Sequence, residues 1–112
     1  MTLGMAGGNI EAAAAATVYV GDEIEVTNAA NDKLYVDRQV PLIKAAGGTF
    51  VVQAGSLTSI EGATPAQRVV IYTFDSPEKP MEWRNGPEQK ELIEMRGRYS
   101  HFRSFSVEGL RN

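Results

Sequence analysis

The chain has 112 residues, 43% of them hydrophobic, which suits one compact domain and is too short for two ordinary ones. No run approaches the roughly 20 apolar residues that a membrane-spanning helix needs, and the absence of cysteine removes disulfides, thiolate metal sites, iron–sulfur clusters and cysteine nucleophiles. A formal charge of −3, with no basic cluster beyond Arg96 and Arg98, lacks the phosphate-neutralising patch of a nucleic-acid binder.

The acidic excess lies at the front, where residues 1–32 hold Glu11, Asp22, Glu23, Glu25 and Asp32 and no Lys or Arg. Residues 1–16, MTLGMAGGNIEAAAAA, carry no core pattern and read as a flexible Ala/Gly-rich arm or a leader remnant. An intact signal peptide is not expected, because no base precedes the apolar part and Asn9 and Glu11 interrupt it. The expected location is the cytoplasm, or the periplasm if the arm is what remains of an export signal. The folded domain is expected over residues 17–112.

Residues 17–27, TVYVGDEIEVT, alternate: Val18, Val20, Ile24 and Val26 on one face, Tyr19, Gly21, Glu23 and Glu25 on the other. That pattern predicts a strand with one buried side. Asn28 or Asn31 can then cap a helix, and Val36, Val40 and Ile43 recur at helical spacing up to about Ala46. Pro41 inside this helix predicts a kink or an early break, since proline removes one backbone donor. Gly47 can close the helix in a left-handed conformation, and the β-branched and aromatic residues of TFVVQ favour a second strand behind it. A short strand is expected near residues 59–61. RVVIYTF, residues 68–74, is apolar on both faces and suits a central strand. Ser76 with Pro77 and Glu78 reads as a helix start for a segment carrying Met81 and Trp83 and ending at Asn85 and Gly86. Pro87 opens another helix with Leu92, Met95 and Tyr99 on one face, and residues 101–109, HFRSFSVEG, alternate as a last strand.

This order is β-α-β-β-α-β, an α+β, ferredoxin-like arrangement with helices on one face of an antiparallel sheet. The other face would show Tyr19, Glu23 and Glu25 beside apolar residues of the third strand. A second copy packed on that face, giving a homodimer, is the expected cover.

The segments VYVGDEIEVTNAAN, VPLIKAAGGTFVVQAGS, IEG, RVVIYTFDSPEKPMEW, GPEQKEL and SVEGL resemble, in this order, the family of domains of unknown function numbered 1330. The likeness covers residues 17–110 and implies the dimeric α/β-barrel fold. It implies no reaction, because fold alone does not set function. Gly47 and Gly48 are similar to that family's structural corner; they lead from helix to strand, the reverse of a phosphate-binding loop. Gln89 departs from the pattern, which has an aromatic after the Pro-Glu of the last helix.

His101, the only histidine, is a candidate general base or axial haem ligand, set against the plainer reading of a surface residue. No second His or Cys exists to share a zinc ion, and no cofactor is expected. Glu23 and Glu25 with Tyr19 could move a proton, since carboxylates two apart on a strand point the same way; the alternative is pairing at a sheet edge or dimer contact. Arg38 and Arg96 could hold an anionic group, or form ion pairs with Asp37 and Glu94. Trp83 and Met81, with Tyr72 and Phe74, could wall a ligand cavity or belong to the core. The expected set is therefore Tyr19, Glu23 and His101 for catalysis and Arg38, Tyr72, Trp83 and Arg96 for binding. The superfamily likeness implies cofactor-independent chemistry on a small aromatic or oxygenated molecule, monooxygenase- or isomerase-like. The alternative is a non-catalytic ligand-binding or interaction module.

Overall fold

The structure, a computed structural model, describes residues 16–64 and 67–110. Of the expected arm over residues 1–16, residues 1–15 lie outside the described residues, and Ala16, its last residue, is buried. The alternating segment forms β1 (Val18–Val26) and is followed by α1 (Ala29–Ala45), β2 (Thr49–Gln53), β3 (Arg68–Phe74), α2 (Lys79–Arg84), α3 (Pro87–Gly97) and β4 (Ser100–Glu108). The four strands make one antiparallel sheet in the order β2-β3-β1-β4, the ferredoxin-like order.

Asn28 is the residue that caps α1: its side-chain oxygen accepts from the Asn31 N–H at 3.2 Å. The helix runs through Pro41 without a break as far as Ala45. Its buried stripe is Asp32, Tyr35, Gln39 and Ile43, whereas Val36 and Val40 are only half-buried. The apolar spacing therefore placed the stripe one residue too late, because three of the four buried side chains are polar and paired. Gly47 closes the helix at φ 97°, and Gly48 follows so tightly that its N–H donates to the Ile43 carbonyl at 2.9 Å.

Three local expectations are corrected. Residues 59–61 form no strand; the chain bends at residues 60–62, and the Ser59 hydroxyl donates to the Gly62 carbonyl at 2.9 Å, satisfying the chain locally. Ser76 and Pro77 belong to a turn, and α2 begins at Lys79, with Pro80 in its first turn. The last strand begins at Ser100 rather than His101 and ends at Glu108.

Register sorts the side chains. Val18, Val20, Asp22 and Ile24 stand opposite Phe74, Tyr72, Val70 and Arg68 of β3 and Glu108, Ser106, Ser104 and Phe102 of β4. This face lies under the helices, with Val20, Ile43, Tyr72 and Phe74 at its centre and Phe50 and Trp83 packed around them. The Tyr72 ring meets Phe50, Phe74 and Trp83 at centroid distances of 5.7, 5.8 and 5.9 Å, tilted or edge-on as aromatic quadrupoles prefer. The opposite face carries Tyr19, Gly21, Glu23 and Glu25 with Val107, Phe105, Arg103 and His101. Phe105 is 51% exposed there, and its ring lies over Gly21, where an added Cβ would come within 2.6 Å of it. Among the described residues no helix is long and apolar enough to cross a membrane.

Candidate functional site

β1 contributes a carboxylate to the covered face. Asp22 holds the position that alternation reserves for an apolar side chain between Val20 and Ile24, and it is 6% exposed. A buried carboxylate needs partners. The Ser104 hydroxyl, directly across on β4, donates to Asp22 Oδ1 at 2.6 Å, and the Tyr72 hydroxyl on β3 lies near enough to the carboxylate to favour its charged form. Burial nevertheless dominates and raises the Asp22 pKa above the usual carboxylate value, against the lowering effects of Ser104, the Arg96 charge and Tyr72. Burial likewise raises the Tyr72 hydroxyl, helped by the neighbouring Asp22 charge, so Tyr72 is a neutral hydrogen-bond donor.

Arg96 reaches this group from α3. Its guanidinium lies 3.7 Å from the Phe102 ring centroid in a cation–π contact, and its Nη1 donates to the Tyr35 hydroxyl at 3.5 Å. Among the described residues no carboxylate forms an ion pair with Arg96. The Tyr35 hydroxyl is held from its other side by Gln39 Nε2 at 3.0 Å, and its pKa is raised chiefly by burial. Gln39 and Gln89 complete the support with two reciprocal amide bonds, 2.9 and 2.8 Å, between α1 and α3. Thus a buried acid, two neutral tyrosines and one cation without a carboxylate partner converge between sheet and helices.

Beside them is a pocket of about 220 Å³, walled by Val20, Tyr72, Trp83, Ile93, Arg96 and Ser104. The Trp83 Nε1–H is buried with no hydrogen-bond partner. Such an orphan costs on the order of 1–3 kcal/mol until an acceptor meets it. Apolar side chains alternate in its walls with Tyr72, Arg84, Arg96, Ser104 and Ser106, a mixed lining in which polar groups can orient a small molecule held by apolar contact.

The expected residues fall into two groups separated by the sheet. Tyr72, Trp83 and Arg96 come together on the covered face around the pocket. Tyr19, Glu23 and His101 lie on the opposite face, where Glu23 accepts from Arg103 at 2.6 Å and His101 stands across from Glu25. Arg38 is on the outer surface of α1 and pairs with Glu91 at 3.3 Å. Among the described residues no three His, Cys, Asp or Glu side chains cluster as metal ligands would. Asp22, Tyr35, Gln39, Gln89 and Ser104 were not singled out from the sequence. Parity alone would have found Asp22, since the strand's apolar positions run 18, 20, 24 and 26 with 22 between them.

The chain belongs to the DUF1330 family, a domain of unknown function, which it matches over residues 17–110. No curated protein matches it significantly. Among solved structures it is similar to RPA0582, a protein of unknown function from Rhodopseudomonas palustris, with 15% identity and a TM-score of 0.69 over 87% of this chain and 85% of that one. It is also similar to SnoaB, a cofactor-independent oxygenase from Streptomyces nogalater, with 13% identity and a TM-score of 0.63 over 88% of this chain and 97% of that one. A third neighbour, from Bacteroides thetaiotaomicron, is of unknown function and described as a possible oxidoreductase; identity is 12% and the TM-score 0.54 over 86% of this chain and all of that one. At these identities the likeness is one of fold, the dimeric α/β barrel.

Proposed function

We propose that this member of the DUF1330 family is a cofactor-independent enzyme that acts on a small aromatic or oxygenated molecule, monooxygenase- or isomerase-like, in the pocket between the sheet and the helices. The observation that carries the reading is Asp22: a carboxylate on the apolar face of a strand, with its pKa raised, hydrogen-bonded by Ser104 and facing Arg96. A carboxylate whose pKa is raised is a stronger general base than an ordinary one.

In this reading Asp22 takes a proton from an acidic C–H or O–H of the substrate. Arg96 stabilises the anion that forms, Tyr72 and Ser104 orient the carboxylate, and Trp83 walls the site and offers its indole N–H to a substrate oxygen. An isomerisation returns the proton at another atom. A monooxygenation converts the deprotonated CH₂ carbon to C=O with dioxygen; one oxygen enters the product, the other leaves as water with both hydrogens, and the substrate supplies the electrons. Tyr19, Glu23 and His101 then serve the open sheet face, where we place the contact between two copies. Its half-exposed Phe105 and Val107 also favour the second reading, an interaction module without catalysis.

The test is deuterium uptake from solvent into a cyclic 1,3-diketone or an activated phenol, followed by NMR. Wild type is expected to accelerate uptake, Asp22→Asn to abolish the acceleration with the fold intact, and Arg96→Ala to raise KM. Equal rates with wild type and Asp22→Asn would overturn the assignment. Native mass spectrometry of the purified protein checks the assembly: a species at twice 12.2 kDa is expected, and a monomer would count against the paired sheets.

A further inference from the structure

We infer that a second chamber, on the other side of Asp22, is a binding site for a small uncharged apolar molecule of the size of dioxygen. The inference rests on the acid–base reading of Asp22 and selects its monooxygenase branch, because an isomerase has no use for a second small reactant.

The chamber lies between α1 and the sheet and has a volume of about 80 Å³. Ile24, Val40, Ile43, Phe50, Val70 and Phe102 wall it, and Asp22 forms part of its lining. Ser104, Tyr72 and Arg96, the partners of the same carboxylate, line the larger pocket. Asp22 thus lines the smaller space, and Ser104, which donates to it, lines the larger one, which fits a ring as the smaller does not. An apolar cavity of about 150 Å³ stays dry and admits benzene or xenon; this one, at roughly half that volume, admits a diatomic gas or a short alkyl group.

Water gains little here, since it needs two to four polar partners. Asp22 is engaged with Ser104, Gln39 with Gln89 and Tyr35, and Tyr35 with Arg96; among the described residues the Arg68 Nε–H at the mouth is the one buried donor of the lining without a partner, and a single donor is short of what a water requires. A charged solute would lose its hydration with nothing to replace it.

The mouth is built to open. Arg68, Val36 and Ala54 line both the chamber and an outer recess of about 560 Å³. Arg68 Nη2 meets Asp32 Oδ2 at 2.6 Å, while Arg68 Nε and Asp32 Oδ1 are buried without partners. The clasp is thus a single contact rather than the two-bond fork that guanidinium and carboxylate can form. Swinging Arg68 joins recess and chamber.

The experiment is methyl NMR of the full chain under dissolved dioxygen, whose paramagnetism speeds relaxation of nearby nuclei. Methyls of Ile24 and Ile43 are expected to relax at least about threefold faster than those of Val18 and Leu92, which are buried to a similar degree away from the chamber, as a guest in a dry cavity requires. Val40→Phe, which fills the chamber, and the milder Val40→Ile are expected to remove or halve the excess. Asp32→Asn combined with Arg68→Gln keeps the mouth uncharged and is expected to leave the excess in place. Equal enhancement at all buried methyls, or an excess that survives Val40→Phe in a folded protein, overturns the site. Loss of the excess with turnover still dependent on Asp22 removes the chamber and leaves the acid–base reading; the excess with turnover indifferent to Asp22→Asn does the reverse.

Discussion

Gln89→Leu isolates the amide pair that supports the site. In the wild type Gln39 and Gln89 are 5% and 3% exposed, and each amide both donates to and accepts from the other, at 2.9 and 2.8 Å. Leucine at 89 leaves the Gln39 carbonyl without a donor and one Gln39 N–H without an acceptor; the other N–H keeps Tyr35 at 3.0 Å. With each buried orphan worth about 1–3 kcal/mol and leucine returning part of that through apolar contact, the expected loss is about 2–4 kcal/mol. In a domain of this size that lowers Tm by roughly 10–30 °C. Gln39→Leu is expected to cost at least as much, since Tyr35 also loses a donor. The double variant, with leucine against leucine, is expected to cost less than the sum of the two by at least about 1.5 kcal/mol, because no amide is left unpaired. Urea denaturation of the four proteins measures this coupling. Singles that cost under about 0.5 kcal/mol each, or costs that add within that margin, would refute the claim that the amides form one buried unit.

Three further outcomes follow from named contacts. Asp22→Asn keeps an acceptor for Ser104 but has no charge to bury. Because the folded pKa of Asp22 lies above the unfolded 3.8, the native state binds the proton more tightly, so wild type loses stability relative to the variant as pH rises from 3.8 to the folded value, and the gap is constant above it; urea midpoints across that range that move in parallel would sink the point. Gly48→Ala places a Cβ 2.6 Å from Ile43 Cγ2 and 2.9 Å from the Ile43 carbonyl oxygen, one of them backbone, and is expected to cost about 1–3 kcal/mol in chemical denaturation. Phe105→Asp puts a charge on the open face and is expected to convert dimer to monomer in sedimentation velocity without loss of helical circular dichroism; a dimer that persists would place the contact elsewhere.

The order of strands and helices was legible because period-2 and period-3.6 patterns report which side of an element is buried, and β1 and β3 show theirs plainly. What stayed hidden is polar burial. Asp22, Gln39 and Gln89 occupy core positions only because Ser104, Tyr35 and one another satisfy them, and those partners lie 82, 4 and 50 residues away in the chain. Hydropathy penalises each such residue singly and cannot credit the pair. The early break at Pro41 fails to occur for a related reason: the missing donor was weighed alone, while the burial of Ile43 and the Gly47 closure on the same helix hold α1 together past it. For the candidate site, Tyr72, Trp83 and Arg96 could be named from residue type, and the alternation that puts Tyr19 and Glu23 on the open face was already a sign that the sheet divides them from the helix-borne Trp83 and Arg96.

β1 writes two messages in one string of letters. Its even positions face the interior under the helices and its odd positions the surface opposite, so a substitution at Glu23 or Tyr19 is free to change the open face while leaving Asp22 and its neighbours untouched. The same interleaving makes the strand intolerant of any change in length. Deleting one residue between Val18 and Asp22 would deliver a carboxylate to the open face and a glutamate to the interior at once, so drift in this family is expected to proceed through replacement and never through a single-residue insertion or loss within β1.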